Sequence, residues 1–478
     1  MTEPFEKQIA SVEITGYTSE GEGVARIGGR AVFIPGAIRG EVCRVQVTKA
    51  GQNVCAAKIL EIEKPSSHRQ APECPLAGQC GGCSLMHMDY AEELSMKRQR
   101  VEDALRRIGG SDVSVEEVLS APETGHYRNK AIFAVGTEGN EPVTGFYARR
   151  SRNVVAAESC CIQSAAALRA AEAVRQWMRL CHVPGWNAAK GTGLVRHVFC
   201  RTGDASGKAQ AAVVTFKKKI PEPELLVRLL REKCPELVSI VQNVNPRPGN
   251  TVFGGAFYPL WGEMWMEDTL CGLTYRLSAP SFYQVNHAQA ERLYETALDL
   301  TGLTKEDTAL DLCCGTGTIT LLLAKRAGLA VGVEIVPEAV EDARANAKRN
   351  GIENAEFFCA DAADTAAILE QRGISPSVIV ADPPRKGLPD AAVKAICDVA
   401  PRTLVYVSCD PGTLARDVKK LAEFGYTAKK AVPVDLFPRT PHVETVVLLS
   451  REKADDHIRF SINTEDLKKN VGGYATKE

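Results

Sequence analysis

Apolar and polar positions change rhythm along the chain, and each rhythm predicts a different structure. Over residues 5–64, Val24, Ala31, Val32, Phe33, Ile34, Val42, Val45 and Val47 form short alternating runs. Gly21, Gly23, Gly28, Gly29, Gly36, Gly40 and Gly51 separate them, which is the spacing of a small β-barrel of the oligonucleotide-binding (OB-like) type. Pro65, Pro72 and Pro75 then break the pattern and mark a boundary. From about 84 to 280, helical stretches such as EELSMKRQRVEDALRRIGG mix with strand-like runs such as LVRHVFCRT, AQAAVVTF and LVSIVQNV, predicting a central α+β domain. From Thr308 the rhythm becomes regular. TALDL, AVGVE, AEFFCAD, SVIVADPP and RTLVYVSC each lead into a helical stretch, and VETVVLLS closes the series. This is a doubly wound, Rossmann-like sheet. The expected fold is therefore multidomain α/β, divided at 1–64, 65–280 and 281–450, with a charged tail over 451–478.

Composition narrows the class. A chain of 478 residues exceeds one ordinary core, and 45% hydrophobic with 24% charged residues excludes a disordered or fibrous protein. The opening MTEPFEKQIASVEI lacks the basic start and apolar run of a signal peptide, and no apolar stretch reaches membrane-spanning length. The expected location is the cytoplasm, with no membrane and no obligate protein partner. Sixteen cysteines in that setting point to buried thiols, catalysis or metal rather than disulfides. A net charge of −1 gives no global basic field. Nucleic-acid contacts must then rest on the barrel and on local patches such as Arg149, Arg150 and Arg152.

The first α/β turn, DLCCGTGT, runs from Asp311 through Gly315 and Gly317 into a helix. Glycines there let the backbone approach a nucleotide closely, but Thr320 stands where a dinucleotide turn wants a third small residue. Glu334 ends the second strand and suits ribose hydroxyls; Asp361 ends the third and can reach the adenine side. Acidic strand ends along one sheet edge fit S-adenosylmethionine better than NAD.

Strand four ends in Asp382 and two prolines, strand five in Ser408 and Cys409. If the two strands are neighbours, both side chains reach the ligand edge of the sheet. Glu444 sits just before the last apolar strand, near Arg439 and His442, as a candidate general base. A thiol and a carboxylate together suit uracil. Carbon 5 of that ring is a weak nucleophile until a thiolate adds to carbon 6 and makes an enolate, and a base must then remove the carbon 5 proton. Arg385 or Lys386 would help to keep the thiolate available.

Cys74, Cys80 and Cys83 crowd a Pro- and Gly-rich loop, with Cys160 or Cys161 as the nearest fourth thiol. Spacing leaves zinc and a four-iron cluster equally open. With Phe282 to Asn286 (FYQVN), DLCCGTGT, ADPPRKG, VYVSCDPGT and HVETV in this order, the chain resembles the bacterial 23S ribosomal RNA (uracil-5-)-methyltransferases over nearly all of residues 5–450. The resemblance implies an RNA-binding TRAM barrel and a 4Fe-4S cluster on Cys74, Cys80, Cys83 and Cys160. It implies S-adenosylmethionine contacts from Gln284, Cys313, Glu334, Asp361 and Asp382. Cys409 would be the nucleophile and Glu444 the base. The substrate would be 23S ribosomal RNA, with transfer RNA, or non-catalytic RNA binding, as the competing readings. Three positions depart from the pattern: Asp410 stands where asparagine is usual, Cys313 where an aromatic is common, and Cys161 is a second candidate ligand.

Overall fold

The computed structural model describes residues 6–451 except 140, 188, 189 and 250. The charged tail therefore lies outside the described residues from 452 onward. Strands β1 (Ile9–Glu13), β2 (Gly16–Tyr17), β3 (Gly23–Ile27), β4 (Arg30–Ile34), β5 (Val42–Ala50) and β6 (Val54–Lys64) form one sheet ordered β1-β5-β6-β4-β3-β2. Its two outer strands are successive halves of one bent segment, so the sheet curls around a core of Ile14, Val32, Ile34, Val45 and Val47. Alternation was enough to reveal these strands because one face alone is buried.

Helix α1 (Tyr90–Arg107) follows the cysteine loop. The middle sheet contains β7 (Lys130–Glu138), β8 (Glu141–Tyr147), β9 (Val154–Ala156), β10 (Val195–Thr202), β11 (Ala209–Thr215), β12 (Leu237–Val244) and β13 (Ala256–Gly262). Their order is β13-β12-β11-β10-β7-β8-β9. Helices α2 (Ala165–Leu180) and α3 (Pro223–Lys233) cover one face around Trp177, and Phe199, Ala212 and Val241 pack on the other against Ala279. Both faces are covered, so β10 to β12 are buried along nearly their whole length, polar residues included.

The hairpin β14 (Trp265–Leu270) and β15 (Leu273–Ser278) and helix α4 (His287–Thr301) lead into the last sheet. Its elements are β16 (Thr308–Leu312), α5 (Thr318–Arg326), β17 (Leu329–Glu334), α6 (Pro337–Arg349), β18 (Ala355–Cys359), α7 (Thr365–Arg372), β19 (Val378–Ala381), α8 (Asp390–Val399), β20 (Thr403–Ser408), α9 (Pro411–Ala422), β21 (Tyr426–Val434) and β22 (Glu444–Arg451). The order is β18-β17-β16-β19-β20-β22-β21; β18 to β20 run parallel, and β22 joins β20 and β21 antiparallel. Strand β21 was not among the expected strands. Its exposed Lys429 sits in an edge strand whose first half lacks an apolar signal.

Two packing relationships cross the intervals expected from sequence. Met266, Leu270, Tyr275 and Leu277 of the hairpin are buried in the same core as α4 and α5. Val101 and Leu105 of α1 pack with Leu414 and Val418 of α9, and Val115 and Leu119 bridge to Ala431 and Val434 of β21. No helix among the described residues is long and apolar enough to cross a membrane.

Candidate active site

Four of the expected side chains meet at the carboxyl edge of the parallel strands. The turn after β16 needs left-handed backbone at Cys313 (φ 65°), Gly315 (φ 54°) and Gly317 (φ 83°). For Cys313 that geometry is strained, because its Cβ approaches the following carbonyl. Glu334 clamps the turn: one carboxylate oxygen accepts from Gly315 N at 3.0 Å and the other from Val336 N at 2.9 Å. Asp361 accepts from Ala363 N at 2.9 Å and so caps a short 3-10 turn. Asp311, absent from the expected site set, is fully buried and accepts from the Thr320 hydroxyl at 2.6 Å. That bond accounts for a threonine where a dinucleotide turn has a small residue.

The edge is strongly acidic. Burial pushes the Asp311 carboxyl up to about 8, with Asp382 and Glu334 adding to it. Burial alone lifts Asp382 to about 7, although that residue keeps some solvent contact. The Cys313 thiol is pushed up to about 12 by burial and then by the charges of Asp311, Glu334, Asp382 and Asp361. A cationic ligand would relieve this repulsion, a requirement met by a sulfonium bearing an amino group and not by a dinucleotide.

Register brings the other pair together. Ser408 of β20 pairs with Thr445 of β22 at the end of an antiparallel ladder. Continued by one position, that register sets Cys409, the residue after Ser408, opposite Glu444, the residue before Thr445, and the Glu444 charge acts on the Cys409 thiol. Glu444 is buried, 4% exposed, and its carboxyl is pushed up to about 8 by burial and by Asp382, with Arg385 opposing. The Cys409 thiol rises to about 11 through burial and Glu444, again opposed by Arg385. Arg385 thus sits within electrostatic reach of both; Lys386 is not among the groups acting on the thiol. Gln284 is buried beside Tyr294, whose buried hydroxyl feels both Asp382 and Glu444. Tyr294 escaped the sequence reading because its α4 position looks like ordinary core.

Glu444 also supplies a pH test. Its folded value of about 8 lies above the ordinary 4.5, so the folded state keeps a proton that the unfolded chain releases. Stability therefore falls as pH rises from about 4.5 to 8 and is flat in this respect above that. Glu444→Gln should match the parent at pH 4 and exceed it at pH 8 by roughly 2–4 kcal/mol in urea unfolding. A difference independent of pH would contradict the assignment.

The segment 435–441, which delivers Glu444, is held from outside the sheet. Buried Lys97 of α1 donates to Glu93 at 2.7 Å, to Asp435 at 2.6 Å and to the Phe437 carbonyl at 3.2 Å. Arg439 N donates to Glu93, and Tyr90 to Asp435, both at 2.7 Å. Arg100 donates to the Pro441 carbonyl at 2.6 Å and to Asp410 at 3.4 Å, tying the segment to the turn after Cys409. On the opposite side Ser84 N and Leu85 N donate to the Arg439 carbonyl.

Those two residues follow the cysteine loop. Cys74, Cys80, Cys83, Cys160 and Cys161 all line one cavity of about 290 Å³, with Arg128, Lys130 and Thr440 also in its wall. Among the described residues no three His, Cys, Asp or Glu side chains are grouped to hold a metal ion directly. The expected phosphate contacts fare differently: Arg149 pairs with Glu22 of the barrel at 3.1 Å and Arg150 approaches the same carboxylate at 3.8 Å. Part of their charge is spent within the protein.

A profile described as tRNA (Uracil-5-)-methyltransferase matches residues 270–452, and the TRAM domain profile matches 5–60. A protein of Clostridium tetani called an uncharacterized RNA methyltransferase is 40% identical over 437 residues, covering 91% of this chain and 95% of its own. The chain belongs to the RNA uracil-5-methyltransferase family. A Listeria monocytogenes protein with the same description is 40% identical over 445 residues, 93% of this chain and 98% of its own. Among solved structures, the Pyrococcus abyssi tRNA (uracil-54, C5)-methyltransferase in complex with S-adenosyl-L-homocysteine aligns with a TM-score of 0.75 and 27% identity. That alignment covers 92% of this chain and 99% of the other. The protein is an S-adenosylmethionine-dependent RNA (uracil-5-)-methyltransferase, and RNA is its substrate.

Proposed function

We propose that the protein methylates carbon 5 of a uridine in 23S ribosomal RNA through a covalent Cys409 adduct, the reading carried by Cys409 facing Glu444 across the β20–β22 ladder. S-adenosylmethionine supplies the methyl group as a sulfonium. Gln284, Cys313, Glu334, Asp361 and Asp382 hold it, their carboxylates matching its positive charge. Cys409 adds to carbon 6 of a uracil swung out of the RNA, with Arg385 favouring the thiolate. The resulting enolate would take the methyl at carbon 5 as the sulfur–methyl bond breaks and its electron pair stays on sulfur, leaving S-adenosylhomocysteine. Glu444 then removes the carbon 5 proton, the carbon–sulfur bond breaks, and the ring double bond and free thiolate return.

The cysteine cavity fits a 4Fe-4S cluster held by Cys74, Cys80, Cys83 and Cys160. These thiols line one cavity of about 290 Å³, room for a group of several atoms, and the charges of Cys160, Cys80 and Cys74 all act on Cys83. Arg128 and Lys130 in the wall would balance the charge of an anionic cluster. The iron of a bound cluster would cross-link these thiolates and so fasten the loop beside Arg439 and Thr440, coupling metal binding to folding. Protein purified without oxygen should contain iron and sulfide, and Cys83→Ser should lose both together with soluble yield. Cys161→Ser should retain them. Stoichiometric zinc without sulfide would contradict the cluster.

The choice of ribosomal RNA rests on resemblance of the motif set and cysteine loop. Similarity to the Pyrococcus abyssi enzyme favours transfer RNA as the second reading. Incubation with undermethylated ribosomal and transfer RNA, followed by mass mapping of 5-methyluridine, decides between them. Methyl on an exocyclic amine, or on no RNA, would overturn the reaction.

A further inference from the structure

Three stretches of the middle sheet, residues 183–203, 205–221 and 237–262, contain no aspartate or glutamate, in a chain that has 59 of them. They carry β10, β11, β12 and β13, and the register places Val195, Thr215, Val244 and Ala256 together at one end of the sheet. Exposed Lys217, Lys218 and Lys219 follow Thr215 there, and exposed Arg247 follows Val244.

Both cationic loops are fixed from beneath. The buried Thr215 hydroxyl donates to the Lys217 carbonyl at 2.8 Å, and buried Gln242 donates to the carbonyls of Lys217 at 3.2 Å and Lys218 at 2.9 Å. With those carbonyls turned inward, the three lysine side chains face solvent. Arg196, 4% exposed, donates to the carbonyls of Asn245 at 2.8 Å, Arg247 at 2.6 Å and Gly249 at 3.3 Å. Its guanidinium lies 5.3 Å from the Trp186 ring, which stacks on Phe216 at 4.7 Å. The Lys218 ammonium sits 4.2 Å from the Tyr258 ring. None of Lys217, Lys218, Lys219 and Arg247 forms an ion pair among the described residues. Elsewhere exposed arginines such as Arg44 and Arg402 are paired with carboxylates.

We infer that this end of the middle sheet is a second RNA-binding surface, holding a run of phosphates of the substrate far from the target base. It rests on RNA being the substrate and adds where, beyond the barrel and the catalytic edge, that RNA is held. Strand β10 leads from this surface to Thr202, whose amide bonds Asn129, itself bonded to the Gln284 carbonyl. Seven residue steps separate the two ends, about 24 Å at 3.4 Å per residue. An RNA that touches both must be a sizeable folded molecule. With the loop backbones already held, binding has only the long side chains to order, and the distance spanned favours such an RNA over short strands.

The test is binding of full-length 23S ribosomal RNA transcript, and separately of total transfer RNA, over a series of salt concentrations. Replacing Lys217, Lys218 and Lys219 together with alanine should weaken binding of the ribosomal transcript at least tenfold. The slope of log affinity against log salt should fall by about 2 to 3. Replacing the same three with arginine, and separately Arg247→Lys, should preserve both values. The melting temperature and S-adenosylhomocysteine affinity should not change in any variant. An unchanged slope in the alanine variant overturns the proposal, as does equal loss in the arginine variant, which would make shape and not charge responsible. No step of the assay requires methyl transfer, so failure of the proposed reaction and failure of this surface give separate results.

Discussion

Cys409→Ala should abolish methyl transfer while RNA and S-adenosylmethionine still bind, and Glu444→Gln should stop the same cycle at a different place. The thiol forms the first bond and the carboxylate acts only after the methyl has moved. Without the thiol no covalent species forms. With an amide in place of the Glu444 carboxylate, Cys409 still adds to carbon 6 and the methyl still reaches carbon 5, but the proton there has no acceptor. Turnover should fall by about 10² to 10⁴, the usual contribution of a general base. A protein–RNA complex resistant to denaturation should accumulate. RNA containing 5-fluorouridine should trap the parent enzyme in the same way, since fluorine does not leave as a proton. The pH dependence follows from the buried carboxyl. With Glu444 pushed up to about 8, the base is mostly protonated in the free enzyme at neutral pH, so kcat/KM should rise with pH toward 8. Turnover by the alanine variant, or absence of any adduct from both the glutamine variant and fluorinated RNA, would refute thiolate addition.

The sequence displayed the strand ends of the last sheet because each apolar run stops at a polar, Pro- or Gly-marked turn, as at Asp382 and Cys409. Neighbouring β19 and β20 follow from that rhythm. What brings Glu444 opposite Cys409 is less visible: β22 must run antiparallel beside β20, and β21, its other partner, has lysines where a strand pattern would show apolar residues. Tyr294 and Asp311 were hidden for a different reason. A buried tyrosine in a helix and an acid near a strand's end look like core and cap until Gln284 and Thr320 are seen beside them. The cysteine spacing likewise revealed a cluster of thiols without revealing that its loop touches Arg439. Acid-free stretches in β10 to β13 were readable in the sequence, but they became a surface only when register gathered Lys217 to Lys219 with Arg247.

Helix α1 shows how far such long-range contacts reach into stability. Lys97 is wholly buried between Glu93, four residues before it, and Asp435, 338 positions away. Burial raises the Glu93 carboxyl, and the Lys97 ammonium is the main charge opposing that rise. Substituting methionine keeps the volume of the stem but leaves two buried carboxyls facing each other without the cation between them. Removing one partner of a buried ion pair costs about 3–5 kcal/mol, because the surviving charge must be neutralised or hydrated. Lys97→Met should therefore lower stability by that amount in urea unfolding. Combining it with Asp435→Asn should recover part of the loss, since one of the stranded charges is then gone. The segment held by Lys97 through Asp435 and the Phe437 carbonyl is the one that leads to Glu444, so the single variant should also lower kcat more than it raises KM for RNA. A Lys97→Met protein with the parent's urea midpoint would mean that the buried network holds neither the fold nor the base in place.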